Sequence, residues 1–160
     1  MKALVVSDSH GNKNILKTIT QKYADMEYLF HLGDYVQDAY YLADNMPNTK
    51  VLNVKGNCDV GSADPEFEEI VLEGNRIILT HGHLLKVKFS YDRALYYAAD
   101  HNAAALLFGH SHIAYTEYVD GVWLVNPGSA GEHNQGPLSV AVLVISKAGI
   151  VPKIIALEGD

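Results

Sequence analysis

Three short apolar runs in the first third of the chain, "KALVVS", "YLFHL" and "KVLNVK", are separated by stretches whose apolar residues recur at helical spacing. Ile15, Leu16, Ile19 and Tyr23 form one such stripe behind the capping residue types Asn12 and Asn14, and Ala39, Leu42, Ala43 and Met46 form the other. Strands joined through helices pair in parallel by right-handed crossovers, so this pattern demands an α/β layer architecture. It also places the carboxyl ends of the three strands on one edge.

Beyond Pro65 the texture changes. "EEIVLEGNRIILTH" is two apolar runs broken at Gly74-Asn75, which reads as a hairpin. "YTEYVDGVWLVN" turns at Asp120-Gly121, a dipeptide that type I′ turns favour. A helix over 91–101 and a strand "AAALLF" lie between them. The chain closes with "LSVAVLVI" and "GIVPKIIAL", the second expected at a sheet edge because Pro152 cannot donate to a ladder. We expect one domain over 1–160, built from two mixed sheets packed face to face with helices outside. A chain of 160 residues can bury roughly two thirds of its unfolded surface.

Five apolar runs finish alike. "ALVVSDSH" ends at Asp8 and His10, "YLFHLGD" at Asp34, "VLNVKGN" at Asn57, "IILTH" at His81 and "LLFGHSH" at His110 and His112. In extended chain, residues i and i+2 point to one side, so His110 and His112 can address a common object. If the five ends meet at one edge of two facing sheets, seven oxygen and nitrogen donors converge where α/β sheets bind ligands. Seven is too many for one tetrahedral zinc, whereas two ions sharing a carboxylate divide the donors well. A mixture of carboxylate and imidazole suits manganese, iron, zinc or nickel better than calcium or magnesium. Two such ions can clamp a phosphoryl group and supply hydroxide, the chemistry of a phosphoester hydrolase.

Composition narrows the alternatives. The net charge of −7 argues against a nucleic-acid surface, which needs Lys and Arg to neutralise phosphates. The opening "MKALVVSDSHG" is too short in its apolar part for a signal peptide or a membrane span, so no membrane association is expected. Cys58 is the only cysteine, which suits a reducing cytoplasm. Oligomeric state is left open, a homo-oligomer included.

The ordered series "DSH" at 8–10, "GD" at 33–34, "GN" at 56–57, "HGH" at 81–83 and "GHSH" at 109–112 resembles the calcineurin-like metallophosphoesterases. "VNPGS" at 125–129, with the short length, is similar to the small bacterial and archaeal phosphodiesterase branch. The resemblance implies a four-layer α-β-β-α sandwich. It implies that Asp8, His10 and His112 hold one metal ion, that Asn57, His81 and His110 hold a second, and that Asp34 bridges them. It further implies hydrolysis of a small phosphate ester, most readily a diester, by a metal-bridging hydroxide. Manganese is the first expectation, with nickel, zinc or iron as alternatives. The same site acting on monoesters is the near alternative. A noncatalytic scaffold is the distant one, since the retromer subunit of this fold works through protein contacts. A scaffold predicts eroded ligands, and here all seven positions are filled.

Two departures matter. Where many members carry a histidine after Gly-Asn, thought to protonate the leaving oxygen, this chain has Cys58, read either as a substrate-facing proton donor or as a small packing residue. Where the acidic motif often ends in a second Asp, this chain has Gln37, and Asp38 follows. His83 either touches substrate or supports the metal shell, or is an exposed loop residue. His31, inside an apolar strand, is expected to be a hydrogen-bonded core residue. The segment 126–129 reads equally as a cleft wall or a tight turn, and Lys55, Lys86, Lys88 and Arg93 as surface charge or as recruiters of anionic substrate. Tyr40, Tyr41, Tyr96 and Tyr97 fall in predicted helices and are expected to pack.

Overall fold

The computed structural model describes residues 1–133 and 136–157. In chain order the elements are β1 (Lys2–Val6), α1 (Lys13–Lys22), β2 (Tyr28–His31), α2 (Val36–Asn45), β3 (Lys50–Asn53), β4 (Phe67–Leu72) and β5 (Asn75–Thr80). A 3-10 turn (His83–Leu85) follows, then α3 (Asp92–Asp100), β6 (Ala105–Leu107), β7 (Tyr115–Val119), β8 (Val122–Asn126), β9 (Ser139–Ser146) and β10 (Gly149–Ala156). They form two five-stranded sheets, ordered β10-β9-β1-β2-β3 and β4-β5-β6-β8-β7. The trio β1, β2 and β3 is parallel, as the helical crossovers require, and so is β5, β6 and β8. Antiparallel strands complete both sheets, and β10 with Pro152 lies at an edge.

The layers follow from strand alternation. In β1, Ala3 and Val5 join Phe30, Ile77, Leu79 and Leu107 in the core between the sheets. Their neighbours Leu4 and Val6 face the other way, onto Ile15, Leu16 and Ile19 of α1 and Leu42 of α2. The second sheet turns Ile78, Leu106 and Leu124 outward onto Ala94 and Ala98 of α3. Helix, sheet, sheet and helix therefore stack as an α-β-β-α sandwich.

Several boundaries differ from the sequence reading. The first hairpin turns at Glu73-Gly74, both at positive φ, with Asn75 already in β5; the Asn75 side chain instead donates to Ser146 O of the other sheet. The second turns at Asp120-Gly121, also both at positive φ, as a type I′ turn needs. Asn12 is the cap of α1, its Oδ1 accepting from Ile15 N–H, while Asn14 lies inside the helix. "AAALLF" pairs only over Ala105–Leu107. Ala43 is exposed and leaves the α2 stripe. Of the tyrosine pairs only Tyr97 packs, stacked on Phe67 and His101; Tyr40, Tyr41 and Tyr96 are exposed, because they lie on the solvent side of their helices.

His31 is fully buried at the end of β2. Its Nδ1 accepts from Gly33 N–H at 3.2 Å, so Nε2 carries the proton and donates to Ser9 Oγ at 2.8 Å. Ser9 Oγ in turn donates to Asp38 Oδ2 at 2.6 Å. Burial pushes the His31 pKa down, against weaker pulls from Asp38, Asp8 and Asp59. The folded protein therefore resists a proton that the unfolded chain accepts below about pH 6.5. Stability contributed by neutral His31 is present above that pH and is lost as pH falls toward the lower folded pKa. Chemical denaturation between pH 7 and 5 checks this: His31→Gln starts less stable, and its stability declines less steeply than the wild type, by up to about 1.4 kcal/mol per pH unit.

Candidate metal centre

Four parallel strands deliver the centre. The loops after β1, β2, β5 and β6 carry Asp8 and His10, Asp34, His81, and His110 and His112 to one edge of the two sheets. Asp8 and His81 are fully buried and Asp34 nearly so. The ligand-type atoms of Asp8, His10 and His112 cluster in one group, and those of Asp8, Asp34 and His81 in a second that shares Asp8.

Each carboxylate divides its oxygens between protein and cluster. Asp8 Oδ2 accepts from Ser7 Oγ at 2.5 Å and from His110 N–H at 3.0 Å. Asp8 Oδ1 faces the Nε2 atoms of His112 at 3.1 Å and of His10 and His81 at 3.8 Å. Asp34 Oδ1 accepts from Cys58 N–H at 3.0 Å, while its Oδ2 lies 3.3 Å from His81 Nε2 and 3.9 Å from His10 Nε2. His81 Nδ1 donates to Leu32 O at 2.7 Å, which aims the Nε2 lone pair inward. The buried Nε2 atoms of His10 and His81 have no hydrogen-bond partner. A buried imidazole nitrogen left over while its partner nitrogen is engaged is what a metal ligand needs, so these residues fit a divalent cation.

The backbone is bent to achieve this. Asp8, His10, Asp34, His110 and His112 all have φ between 48° and 69°. Such left-handed conformations in residues with a Cβ cost on the order of 1–3 kcal/mol each and collect at functional sites. Gly109 has no side chain for a related reason: a Cβ there would stand 2.0 Å from Ser7 Oγ and 2.6 Å from Asp8 Oδ2.

Protonation follows the packing. Burial alone would raise Asp8, but His10, His112 and His81 hold its carboxyl well below the usual range. Asp34 is likewise lowered against its burial, chiefly by His81. The facing Asp8 carboxylate raises His10, against its burial, with Glu132 and Asp34 adding to it. His81 is raised by Asp34 and Asp8 although burial opposes it. His110 goes the other way, to about 4, through burial, His81 and Lys88, and so stays neutral near pH 7.

The remaining predicted residues sit around the cluster. The His110 ring stands 5.1 Å from that of His81, edge to face. Asn57 is exposed, with its Nδ2 3.9 Å from Cys58 Sγ. His83 is partly buried, its ring 5.4 Å from that of His81, and its Nδ1 is buried without a partner, so it is no exposed loop histidine. Cys58 is an exposed thiol, which removes the packing role. Partial desolvation and then Asp34 push its pKa to about 11. Lys88 is exposed beside His110 and His112, whereas Lys55 donates to Ser62 O.

The support comes from Asp59 and Glu132, which sequence reasoning missed, and from Asp38 and the segment 126–129, whose contacts it left open. Asp59 accepts backbone N–H bonds from Asp34, Tyr35, Val36 and Gly56 at 2.7–2.9 Å, fixing the Asp34 loop and the start of α2 together. Asp38 accepts from Ser9 Oγ and Gly11 N–H. Glu132 stands 3.6 Å from His10 Nδ1 and 3.8 Å from His112 Nδ1. Asn126 donates to Gly109 O and Ser111 Oγ and accepts from Gly128 N–H, while Ser129 Oγ donates to Asp8 O. The segment 126–129 is thus a tight structural turn that also braces the histidine loop. Of the two that were missed, Asp59, two residues beyond "GN", carried a local signal, as an acidic residue next to a motif.

A sequence profile of the calcineurin-like phosphoesterase superfamily domain matches residues 1–148. The chain belongs to that superfamily. Among its calcineurin-like relatives, a probable metallophosphoesterase of Bacillus subtilis, YsnB, is 37% identical over 131 residues, covering 81% of this chain and 75% of its own. The Escherichia coli phosphodiesterase YfcE is 27% identical over 168 residues, covering 89% and 87%. A solved structure of a predicted phosphoesterase from Streptococcus pneumoniae superposes with a TM-score of 0.76 at 26% identity, covering 98% and 97%. Vps29 of Entamoeba histolytica complexed with zinc reaches 0.77 at 21% identity over 98% and 99%, which shows the shared fold. Family membership implies divalent metal chemistry on phosphate esters. Among the described residues, no helix is long and apolar enough to cross a membrane.

The Asp59 clamp gives a direct test of this architecture. Asp59→Ala strands four backbone donors and is expected to destabilise the fold by roughly 3 kcal/mol or more, measured by urea unfolding. Asp59→Asn, which keeps one carbonyl oxygen, is expected to lose less.

Proposed function

We propose that the chain is a phosphodiesterase working with two divalent cations, manganese first and nickel, zinc or iron as alternatives. Asp8, His10 and His112 would hold one ion, His81, His110 and Asn57 the second, and Asp34 would bridge them. The observation that carries this reading is the pair of buried, unpartnered Nε2 atoms of His10 and His81 aimed at Asp8 Oδ1 and Asp34 Oδ2, the carboxylate oxygens turned toward the cluster. The approach of Asp34 Oδ2 to both histidines supports the bridging role. Asn57 joins from a loop already tied to Asp34 through Cys58 N–H.

When bound, the ions supply Lewis acidity toward phosphoryl oxygens and activate a water as the nucleophile at neutral pH. The protein does the rest. Asp8 and Asp34 bring negative charge that offsets the ions, and their anchored oxygens fix the geometry before substrate arrives. Cys58, protonated with a pKa raised to about 11, can hydrogen-bond a leaving oxygen but not act as a base. Partly buried His83 stands on the His81 side to contact phosphate.

A diester preference rests on the space around the cluster. One cavity of 540 Å³ is walled in part by His10, and another of 350 Å³ by His110 and His112, with no lining residue in common. A diester has two substituents to house. The YfcE relationship points the same way. The single free cysteine suits a cytoplasmic setting. A protein-binding scaffold is the second reading, favoured by the likeness to Vps29 and opposed by the intact donor set.

Hydrolysis of matched p-nitrophenyl mono- and diesters by chelator-stripped protein, before and after adding manganese, nickel or zinc, decides between these readings. Metal-dependent turnover favouring the diester is expected, with losses on the order of 10²-fold or more in Asp34→Ala and His81→Ala that keep their circular dichroism. No turnover with any metal would turn the assignment to the scaffold, and monoester preference to a phosphomonoesterase. Glu132→Ala should weaken manganese binding roughly 10- to 100-fold by calorimetry, since a carboxylate behind two ligand histidines orients them.

A further inference from the structure

The 540 Å³ cavity beside His10 is lined chiefly by aromatic and apolar surface: Tyr35, Tyr41 and the flank of Leu16, with Lys13 and Gln37 at its polar side. It opens between the first turns of α1 and α2, directly against the metal centre, because His10 belongs to both. Its size falls within the range of small-molecule sites.

Tyr35 is the informative residue. It caps α2 at φ 91° and ψ 72°, a backbone conformation that side chains rarely adopt and glycine adopts freely. Its N–H is held in that state by Asp59 Oδ1 at 2.7 Å. In return the ring gains little burial, since 44% of the residue is exposed. One part of the ring lies along Gly11, close enough that a Cβ there would stand 3.2 Å from Cε2, and its centroid is 6.0 Å from that of His10. Tyr41, one turn and a half further along α2, is 41% exposed on the same cavity. A strained backbone that presents an open aromatic ring beside the reaction centre does not serve the core.

We propose that this cavity is a subsite for a nucleobase, the aromatic end of one arm of a nucleoside phosphate diester whose phosphate lies at the metal centre; the assignment of the arm rests on the phosphodiesterase reading above. The base stacks against Tyr35 and Tyr41, and Gln37, with a donor and an acceptor on one amide, meets its hydrogen-bonding edge. Lys13 lies where the sugar-phosphate side of the arm passes. The cavity at Lys88, lined by Ser111 and the half-buried Tyr91, takes the other substituent.

Adenosine, which has no phosphate for the metals to attract, isolates the subsite. Calorimetric or NMR titration of the manganese-loaded protein with adenosine, with ribose as control, should show binding of the nucleoside alone. Tyr35→Leu and Tyr41→Ala should each weaken it roughly 5- to 150-fold, the loss expected on removing one stacking partner. Tyr41 sits on an exposed helix surface, so its variant still reports if Tyr35→Leu fails to fold by circular dichroism. No adenosine binding in the wild type, or unchanged binding in both folded variants, would overturn the proposal. The two readings fail separately: adenosine binding lost in the variants without any ester hydrolysis leaves the subsite standing and removes the phosphodiesterase, whereas hydrolysis without adenosine binding does the reverse.

Discussion

Two carboxylates, Asp8 and Asp34, are buried side by side at the ends of adjacent parallel strands, and the surrounding structure is arranged around making that tolerable. Each buried charge costs several kcal/mol unless paired and hydrogen-bonded. The protein ties one oxygen of each to backbone N–H groups, from His110 and from Cys58, and turns the other toward imidazoles. The first tie crosses from one sheet to the other over 102 positions of sequence, so the packing of the sheets and the shape of the centre are one constraint. The left-handed backbone at five of the donor residues is the local cost of that arrangement.

Around this pair the protein is layered by function. The alternating faces of β1 and β6 bury aliphatic side chains between the sheets and under the helices, which leaves only the strand ends free for polar chemistry. Asp59, Asp38 and Asn126 then act on the loops rather than on the cluster itself, each holding two or more backbone or hydroxyl groups in place. Rigid elements thus set the positions of the donors, and capped loops set their directions. This division suits a centre whose geometry has to exist before substrate binds.

The same logic separates support from recognition. Asp38, Asp59, Asn126 and Ser129 behind the cluster are buried and hydrogen-bonded, whereas Tyr35, Tyr41, Cys58 and Lys88 stand exposed at its rim. On the proposed function, substitution behind the cluster would act through stability and metal affinity, and substitution at the rim through the choice of ester. One fold is shared with the phosphoesterase YfcE and with Vps29, which is consistent with function residing in such rims and donor sets rather than in the sandwich.

Order of elements, parallel pairing of the first strands and the polar endings of five apolar runs were legible in the chain itself, because periodicity and strand-terminal residue type are local properties. The resemblance carried on "DSH", "GD", "GN", "HGH" and "GHSH" added the roles that the proposed function assigns. What local pattern could not specify was direction and neighbourhood. The hairpin turn fell one residue earlier than Gly74-Asn75, since two successive positive-φ positions suited Glu73-Gly74 once Asn75 bonded the opposite sheet. Exposure of Cys58 and of three helical tyrosines depended on which faces the sandwich left uncovered. Glu132 looks like an ordinary surface acid in sequence, Asp38 and Asp59 stand out only by their place beside a motif, and only the folded loops bring the three to backbone amides and imidazoles. The sequence determined which residues end the strands; tertiary structure decided which atoms face one another, because those distances are set by the packing of two sheets whose strands are far apart in the chain.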